Sequence, residues 1–198
     1  MTIVAIVLSY LLGAIPFGYI VAKLWKKVDV REHGSGNIGF TNVLRVAGKA
    51  PGFVVLLLDI AKGLLPVLLF SSLTETVELG SFMTVPALCG IGAIIGHDWP
   101  IYLKFSGGKG ISTTIGAFLA LNWQITLIGL LVWILAVVIT RYVSLGSILF
   151  VVSLPLTTII FHLIPQMTVK NWTAISISSA IAAVIAIYRH KGNIGRLL

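Results

Sequence analysis

Residues 123–140 read WQITLIGLLVWILAVVIT, and residues 143–164 read VSLGSILFVVSLPLTTIIFHLI. Arg141 is the one formally charged residue from the start of the first stretch to the end of the second. A helix that crosses a bilayer needs about 20 mostly apolar residues, because the lipid interior offers no hydrogen-bond partner to an open backbone. Each stretch therefore predicts a transmembrane helix.

The rest of the chain has the same apolar character. It is 58% hydrophobic and 10% charged over 198 residues, whereas a soluble domain carries about 25% charged residues. The predicted spans are 3–24, 51–72, 80–97, 110–121, 123–140, 143–164 and 172–188. The fourth is short, and only residues 121–124 separate it from the fifth, so a tight turn and a polar interruption in one long helix are both open. We predict an all-α polytopic transmembrane bundle of about seven spans, with six or five as alternatives, that forms one domain over residues 1–198.

The basic residues predict the orientation of this bundle. Of the 14 Lys and Arg residues, twelve fall on one side of a seven-span arrangement, Lys170 falls opposite beside Glu75 and Glu78, and Lys62 lies within the second span. Because cytoplasmic loops are enriched in Lys and Arg, we expect an external N-terminus and a cytoplasmic C-terminus. Topology and attraction to anionic membrane lipids account for the net charge of +8, so nucleic acid is not an expected partner.

Three polar segments lie on the predicted cytoplasmic side, and the first is GSGNIGFTNVLR at residues 34–45. Its glycines alternate with hydroxyl and amide side chains. Glycine lets a backbone approach a ligand and turn its N–H groups inward, and such a nest binds anions. Arg45 could then form a forked contact with the oxygens of the anion. An ordinary polar loop, in which Gly and Asn only make turns, is the alternative interpretation.

The second segment contains Gly107-Gly108-Lys109-Gly110, directly before a predicted helix. Such a turn offers free N–H groups, the positive end of a helix and an ammonium group to a phosphate. It is not a Walker A loop, since Leu103 stands where the first glycine of that loop would be. A flexible turn with a lysine that reaches the headgroups is the alternative.

The third segment is the tail, YRHKGNIGR at residues 188–196, which topology and headgroup contact alone would explain. Within the second span, Asp59 and Lys62 lie three residues apart. We favour an ion pair on one helical face for these two residues over a proton path. The four histidines lack metal-ligand spacing, so we expect no metal and no cofactor.

At these three segments the sequence resembles the acyl-phosphate:glycerol-3-phosphate acyltransferases of bacterial phospholipid synthesis, and the likeness runs over nearly the whole chain. The similar motifs are GSGN and TNV with Arg45 in the first segment, GGKG after Gly96-His97 and Pro100 in the second, and RHK with Asn193 and Arg196 in the third. The resemblance implies a multi-pass enzyme of the bacterial cytoplasmic (inner) membrane, with its active site facing the cytoplasm. A monomer is expected.

The resemblance implies transfer of a fatty acyl group from acyl phosphate to the 1-hydroxyl of glycerol 3-phosphate, which gives lysophosphatidic acid and phosphate. An acyl phosphate is already activated, so positioning and charge stabilisation are the main tasks of the enzyme. The base for the hydroxyl is either His190 or the departing phosphate, and we favour the phosphate. The sequence lacks the His-x-x-x-x-Asp pair of acyltransferases that use acyl-CoA or acyl carrier protein. The alternative function is a small membrane transporter for an anionic solute, which should show two similar halves.

The implied site combines positive charge, hydrogen-bond donors and backbone N–H groups. The predicted catalytic residues are Ser35, Arg45, Lys109, His190 and Asn193. The predicted substrate- and phosphate-binding residues are Gly34, Gly36, Asn37, Gly39, Thr41, Asn42, Lys104, Gly107, Gly108, Gly110, Ser112 and Ser144.

Overall fold

The computed structural model describes residues 1–73, 83–167 and 169–196, with the side chains of 71–73 left out. Glu75 and Glu78, which we expect on the external side, lie outside the described residues, as do residues 80–82 of the third predicted span. The described chain is a helical bundle, so the predicted all-α class is confirmed. Its helices are α1 (Thr2–Gly13), α2 (Phe17–Lys26), α3 (Phe40–Ala47), α4 (Lys49–Leu73), α5 (Val85–Asp98), α6 (Ile111–Leu121), α7 (Trp123–Thr140), α8 (Val143–Leu163), α9 (Trp172–Arg189) and α10 (Lys191–Ile194).

Five segments of the described ranges are long and apolar enough to cross a membrane. They are Thr2–Lys26, which joins α1 and α2, Lys49–Phe70, Trp123–Thr140, Val143–Leu163 and Trp172–Arg189. By contrast α5 has 14 residues and α6 has 11. Eleven helical residues rise about 16 Å, roughly half of a 30 Å hydrocarbon core.

The first predicted span is divided into two helices. α1 ends at Gly13 and α2 begins at Phe17, with Pro16 as the residue before α2. Proline has no N–H to continue the helical hydrogen bonds and its ring crowds the preceding turn. The predicted span 3–24 therefore corresponds to Thr2–Lys26, with a break at residues 14–16 that the apolar run does not reveal.

Close helix packing in the bundle depends on small residues. A methyl group added at Gly63 of α4 would overlap the carbonyl of Thr113 in α6, and one added at Gly116 of α6 would overlap the carbonyl of Ile60. Gly96 of α5 lies against the backbone of α1 at Tyr10 in the same way. Glycines at helix interfaces let membrane helices approach to backbone contact. α4 and α6 are thus held at a short distance beside the candidate site.

Asn122 resolves the ambiguity between the fourth and fifth predicted spans. It is the single non-helical residue between α6 and α7, with a φ of −160° and a ψ of 100°. The N–H of Asn122 donates to the carbonyl of Phe118, and this hydrogen bond closes the C-terminal end of α6. The side chain of Asn122 accepts from the N–H of Ile125, and this hydrogen bond caps the N-terminal end of α7. The two runs are therefore separate helices joined by a tight turn, one of the two alternatives left open by the sequence.

Candidate functional site

The three polar segments meet at one end of the bundle. Leu103 of the second segment packs against a buried cluster that includes Val30, Ile38 and Val43, around the first segment. Arg189, at the end of α9, donates hydrogen bonds to the second segment. Loops that are far apart in the sequence thus form one polar surface.

Asn42 organises the first segment. Its Oδ1 accepts from the N–H of Ser35 at 2.8 Å, and its Nδ2 donates to the carbonyls of Val30, His33 and Asn37 at 2.9–3.0 Å. Asn42 is buried, so its amide is fully used inside the protein. In this conformation Asn42 shapes the loop, and its donation to a substrate phosphate stays a prediction.

Two glycine N–H groups of the first segment are also used internally. The N–H of Gly39 donates to Asn37 Oδ1, and the N–H of Gly36 donates to the carbonyl of His33. Gly34 has a φ of +63°, and a side chain there would overlap Asn42 Oδ1. These glycines fit a tightly turned loop, and the N–H groups of Gly36 and Gly39 are not free to bind an anion in this conformation.

The second segment is held from two sides. On one side, the N–H of Gly108 donates to the carbonyl of His97 at 3.0 Å. On the other, Arg189 donates from Nε to the carbonyl of Gly108 and from Nη2 to that of Gly107, both at 2.9 Å. The guanidinium of Arg189 also lies 5.3 Å from the ring centroid of Trp99, within cation–π range. The backbone between Gly107 and Gly108 is therefore fixed.

Lys109 extends from this fixed loop toward the tail. Its Nζ donates to Asn193 Oδ1 in α10. Partial burial, together with the nearby charges of Arg196 and Arg189, lowers the pKa of Lys109 to about 8. An ammonium group that is partly desolvated and surrounded by other cations is stabilised by a bound anion. The structure thus brings together two of the predicted catalytic residues, Lys109 and Asn193.

His190 lies under this contact and is buried. Its Nδ1 donates to the carbonyl of Ala186 at 2.7 Å, because a carbonyl can only accept. Burial lowers the pKa of His190 to about 4, and the charges of Lys109 and Arg189 act in the same direction. The imidazole is therefore neutral near pH 7, with Nε2 as its free acceptor.

Among the described residues, no hydrogen bond or ion pair joins the other predicted side chains to Lys109. Arg45 is exposed on α3, Lys104 is exposed with a φ of +51°, and Thr41 lies in the first turn of α3. Ser112 and Ser144 lie in the first turns of α6 and α8. Within the part of the chain that the structure describes, no hydrogen bond joins the side chains of Ser35, Arg45 or Ser144 to the second segment. Their roles stay predictions.

The pairing of Asp59 with Lys62 is confirmed, since Lys62 Nζ lies 2.9 Å from Asp59 Oδ1. Both side chains are buried. Lys62 Nζ also donates to the carbonyl of Ile15 at 2.8 Å, in the break between α1 and α2. The same carbonyl accepts from the N–H of Phe17 at 3.0 Å. Asp59 therefore balances the charge of a lysine that donates a second hydrogen bond to this carbonyl.

Three residues near the site were not among the predicted site residues: Arg189, His97 and Asp98. Both carboxylate oxygens of Asp98 are buried without a hydrogen-bond partner among the described residues, next to Gly110. The available signal for Asp98 was a charge at the end of an apolar span. Arg189 was hidden by its position in a basic tail that topology alone explains. Among the described residues, no group of three or more His, Cys, Asp or Glu is placed to hold a metal ion.

A helical bundle with spans of this length, and with lysine, arginine, amide and glycine-rich loops gathered at one end, defines an integral membrane protein with a basic polar site. The family model described as glycerol-3-phosphate acyltransferase matches residues 3–198. The chain belongs to the glycerol-3-phosphate acyltransferase family. The resemblance predicted from the three motifs is confirmed at the level of the family.

Individual relatives agree with the family model. A glycerol-3-phosphate acyltransferase from Shouchella clausii is 44% identical, covering 99% of this chain and 92% of the relative. One from Desulforamulus reducens is 45% identical, covering 100% and 92%. A crystal structure of PlsY (YgiH), an integral membrane glycerol 3-phosphate acyltransferase in its glycerol 3-phosphate form, matches with a TM-score of 0.84 at 36% identity, over 99% of this chain and 91% of that one. The lysophosphatidic acid form of the same protein matches with a TM-score of 0.82.

Proposed function

We propose that this protein transfers a fatty acyl group from acyl phosphate to the 1-hydroxyl of glycerol 3-phosphate, giving lysophosphatidic acid and phosphate. Family membership over residues 3–198 supports the acceptor and the product, as do the solved relatives with glycerol 3-phosphate and lysophosphatidic acid. The absence of the His-x-x-x-x-Asp pair from the sequence favours acyl phosphate as the donor over a thioester.

The placement of Lys109 is the observation that carries this proposal. Its ammonium group projects from a fixed glycine loop, directly before the N-terminus of α6, and contacts Asn193. A phosphate placed here would meet a cation, an amide and the positive end of a helix at once. Lys109 would stabilise phosphate charge, and Asn193 would orient the bound substrate.

The remaining substrate contacts are assigned to groups whose hydrogen-bond donors or charges are not used within the part of the protein that the structure describes. Arg45 and Lys104 are exposed cations that could reach a second phosphate. The hydroxyls of Ser35, Thr41, Ser112 and Ser144 would donate hydrogen bonds, and Gly107 and Gly110 would offer backbone N–H groups. We leave out Asn42, Gly36, Gly39 and Gly108 as anion ligands, because their N–H groups are bonded within the protein.

The chemical step needs a base for the attacking hydroxyl. The hydroxyl oxygen attacks the acyl carbon, the bond from that carbon to the phosphate oxygen breaks, and the hydroxyl proton must leave. His190 has a free Nε2, but with a pKa of about 4 it is a weak base. We therefore favour the departing phosphate as the proton acceptor, with His190 as a neutral hydrogen-bonding group beside the substrate.

We place the enzyme in the bacterial cytoplasmic membrane as a monomer with seven crossings, its site toward the cytoplasm. Seven crossings follow if α5 and α6, although short, each traverse the bundle between α4 and α7. In a Cys89→Ala background, a cysteine at Gly192, which is exposed and has room for a side chain, should be shielded from an impermeant thiol reagent in sealed cells, while one at Lys170 should react. Labelling at Gly192 would overturn this topology.

The proposed reaction is tested with purified protein, palmitoyl phosphate and glycerol 3-phosphate, with palmitoyl-CoA in a parallel reaction. Lysophosphatidic acid should form with the acyl phosphate and not with the thioester. Equal turnover with palmitoyl-CoA would refute the donor assignment. No product from either donor, together with uptake of an anionic solute into vesicles, would favour the transporter alternative.

A further inference from the structure

A chain of buried contacts connects the break in the first span to the glycine loop of the site. It begins at the carbonyl of Ile15, between α1 and α2, which accepts from Lys62 Nζ. Lys62 also pairs with Asp59, and its ammonium lies 5.6 Å from the ring centroid of Phe17. Lys62 is thereby held by the break between α1 and α2, by α2 and by its own helix α4.

Asp59 is the next link in this chain of contacts. Its Oδ1 lies 3.7 Å from His97 Nδ1, and both side chains are buried. Lys62 from α4 and Arg189 from α9 are the other charged groups that act on His97. No hydrogen bond joins these two atoms, since 3.7 Å is beyond hydrogen-bond distance. Asp59 therefore lies beside the ring of His97 and acts on it through its charge.

His97 in turn shapes the loop through two different contacts. Its carbonyl accepts from the N–H of Gly108 at 3.0 Å. Its ring occupies the space that a side chain at residue 108 would need, since a methyl group added there would overlap His97 Nε2. Gly108 thus lies directly on the imidazole, and Lys109 is the next residue in the chain.

We infer that His97, anchored by the Asp59–Lys62 ion pair, is a positioning residue that sets the location of Lys109 through Gly108. The inference rests on the proposed function only in taking Lys109 as a phosphate ligand. In this inference, the ion pair of Asp59 and Lys62 supports the position of the glycine loop as well as the stability of α4. It also assigns the small size of Gly108 to contact with His97 rather than to close approach of a ligand.

A double-mutant cycle between His97 and Gly108 tests this contact. Gly108 does not have a left-handed φ, so alanine is compatible with its backbone, and the three atoms nearest to the added methyl group all belong to the imidazole of His97. Gly108→Ala alone should raise the KM for glycerol 3-phosphate about tenfold, with a smaller effect on kcat. In a His97→Ala background, which removes the ring, Gly108→Ala should change KM by less than about twofold.

The control is Gly192→Ala, the same chemical change at a position where nothing lies within 4 Å of the added methyl group. It should leave KM and kcat unchanged. If Gly108→Ala raises KM by the same factor with and without His97, the methyl group excludes a ligand instead, and the inference is wrong. A change confined to the melting temperature, with KM constant, would also overturn it.

Two further arms keep the result decisive. Where His97→Ala does not yield monodisperse protein, His97→Ser replaces it. This variant keeps a polar side chain and the Asp59–Lys62 pair but removes the ring atoms that the methyl group would meet, so the Gly108→Ala penalty should again shrink. Where wild-type protein forms no product from acyl phosphate, the proposed reaction fails, and the cycle is measured on the rise in melting temperature caused by glycerol 3-phosphate. Absence of any such rise would refute the inference as well.

Discussion

Replacing Arg189 with lysine should impair the enzyme although it keeps the positive charge. The guanidinium donates two hydrogen bonds of 2.9 Å to the adjacent carbonyls of Gly107 and Gly108. This fork needs the rigid, planar geometry of arginine, and a single ammonium cannot reproduce it. The contact of Arg189 with the face of Trp99 would weaken too.

The expected size of the effect follows from these contacts. A hydrogen bond from a charged donor contributes about 1.5–3 kcal/mol. Lysine can retain one of the two bonds, so the net loss is about one such bond. Since each 1.4 kcal/mol is about a factor of ten, kcat/KM should fall roughly ten- to a hundredfold if loop position controls the reaction. The loss should appear mainly in KM, because Arg189 fixes the loop that presents Lys109.

Steady-state kinetics with each substrate varied in turn provide the measurement, on protein shown to be monodisperse in detergent. Arg141→Lys is the control, since Arg141 is also an arginine directly after a span but is exposed. It should retain wild-type constants. Wild-type KM and kcat for Arg189→Lys would refute the claim that the Arg189 fork fixes the loop.

Three further outcomes are expected. The KM for glycerol 3-phosphate should rise as the pH increases from 7 to 9, because Lys109, with a pKa of about 8, loses its positive charge over this range. Lys109→Met should abolish the rise in KM. A rise that persists in that variant would show that another group titrates. Arg45→Ala should lower kcat/KM ten- to a hundredfold, because a charged hydrogen bond to substrate contributes about 1.5–3 kcal/mol. The melting temperature should not change, because Arg45 is exposed. Unchanged kinetics would remove Arg45 from the site. Asn42→Ala should destabilise the protein by about 2–4 kcal/mol, since it leaves several buried backbone groups unpaired, and thermal unfolding in detergent measures this.

The sequence predicted those features that depend on local pattern. Apolar runs located the four long helices α4, α7, α8 and α9 to within two residues, because the length of such a helix is set by the thickness of the bilayer. The spacing of Asp59 and Lys62 predicted their pairing, because residues three apart share one face of a helix. Motif resemblance identified the family before any tertiary contact was known.

Features that depend on tertiary neighbours could not be predicted in this way. Asn42 looked like one more polar residue in a glycine-rich loop, yet four backbone groups converge on its amide. Gly108 looked like a donor to phosphate, yet its N–H and its free space are both taken by His97, which precedes it by eleven residues. A glycine motif indicates that a backbone needs room, but not whether a ligand or another side chain fills it.

The contact between Lys62 and the break before α2 also depends on tertiary neighbours. A lone ammonium in an apolar bundle is unfavourable by a few kcal/mol. In the structure Lys62 donates to the carbonyl of Ile15, which also accepts from the N–H of Phe17, and Asp59 neutralises the charge. The buried charge is unfavourable alone, and its contacts with this carbonyl and this carboxylate make it tolerable. Neither local sequence could therefore predict the arrangement, because its stability lies in the meeting of two helices rather than in either one.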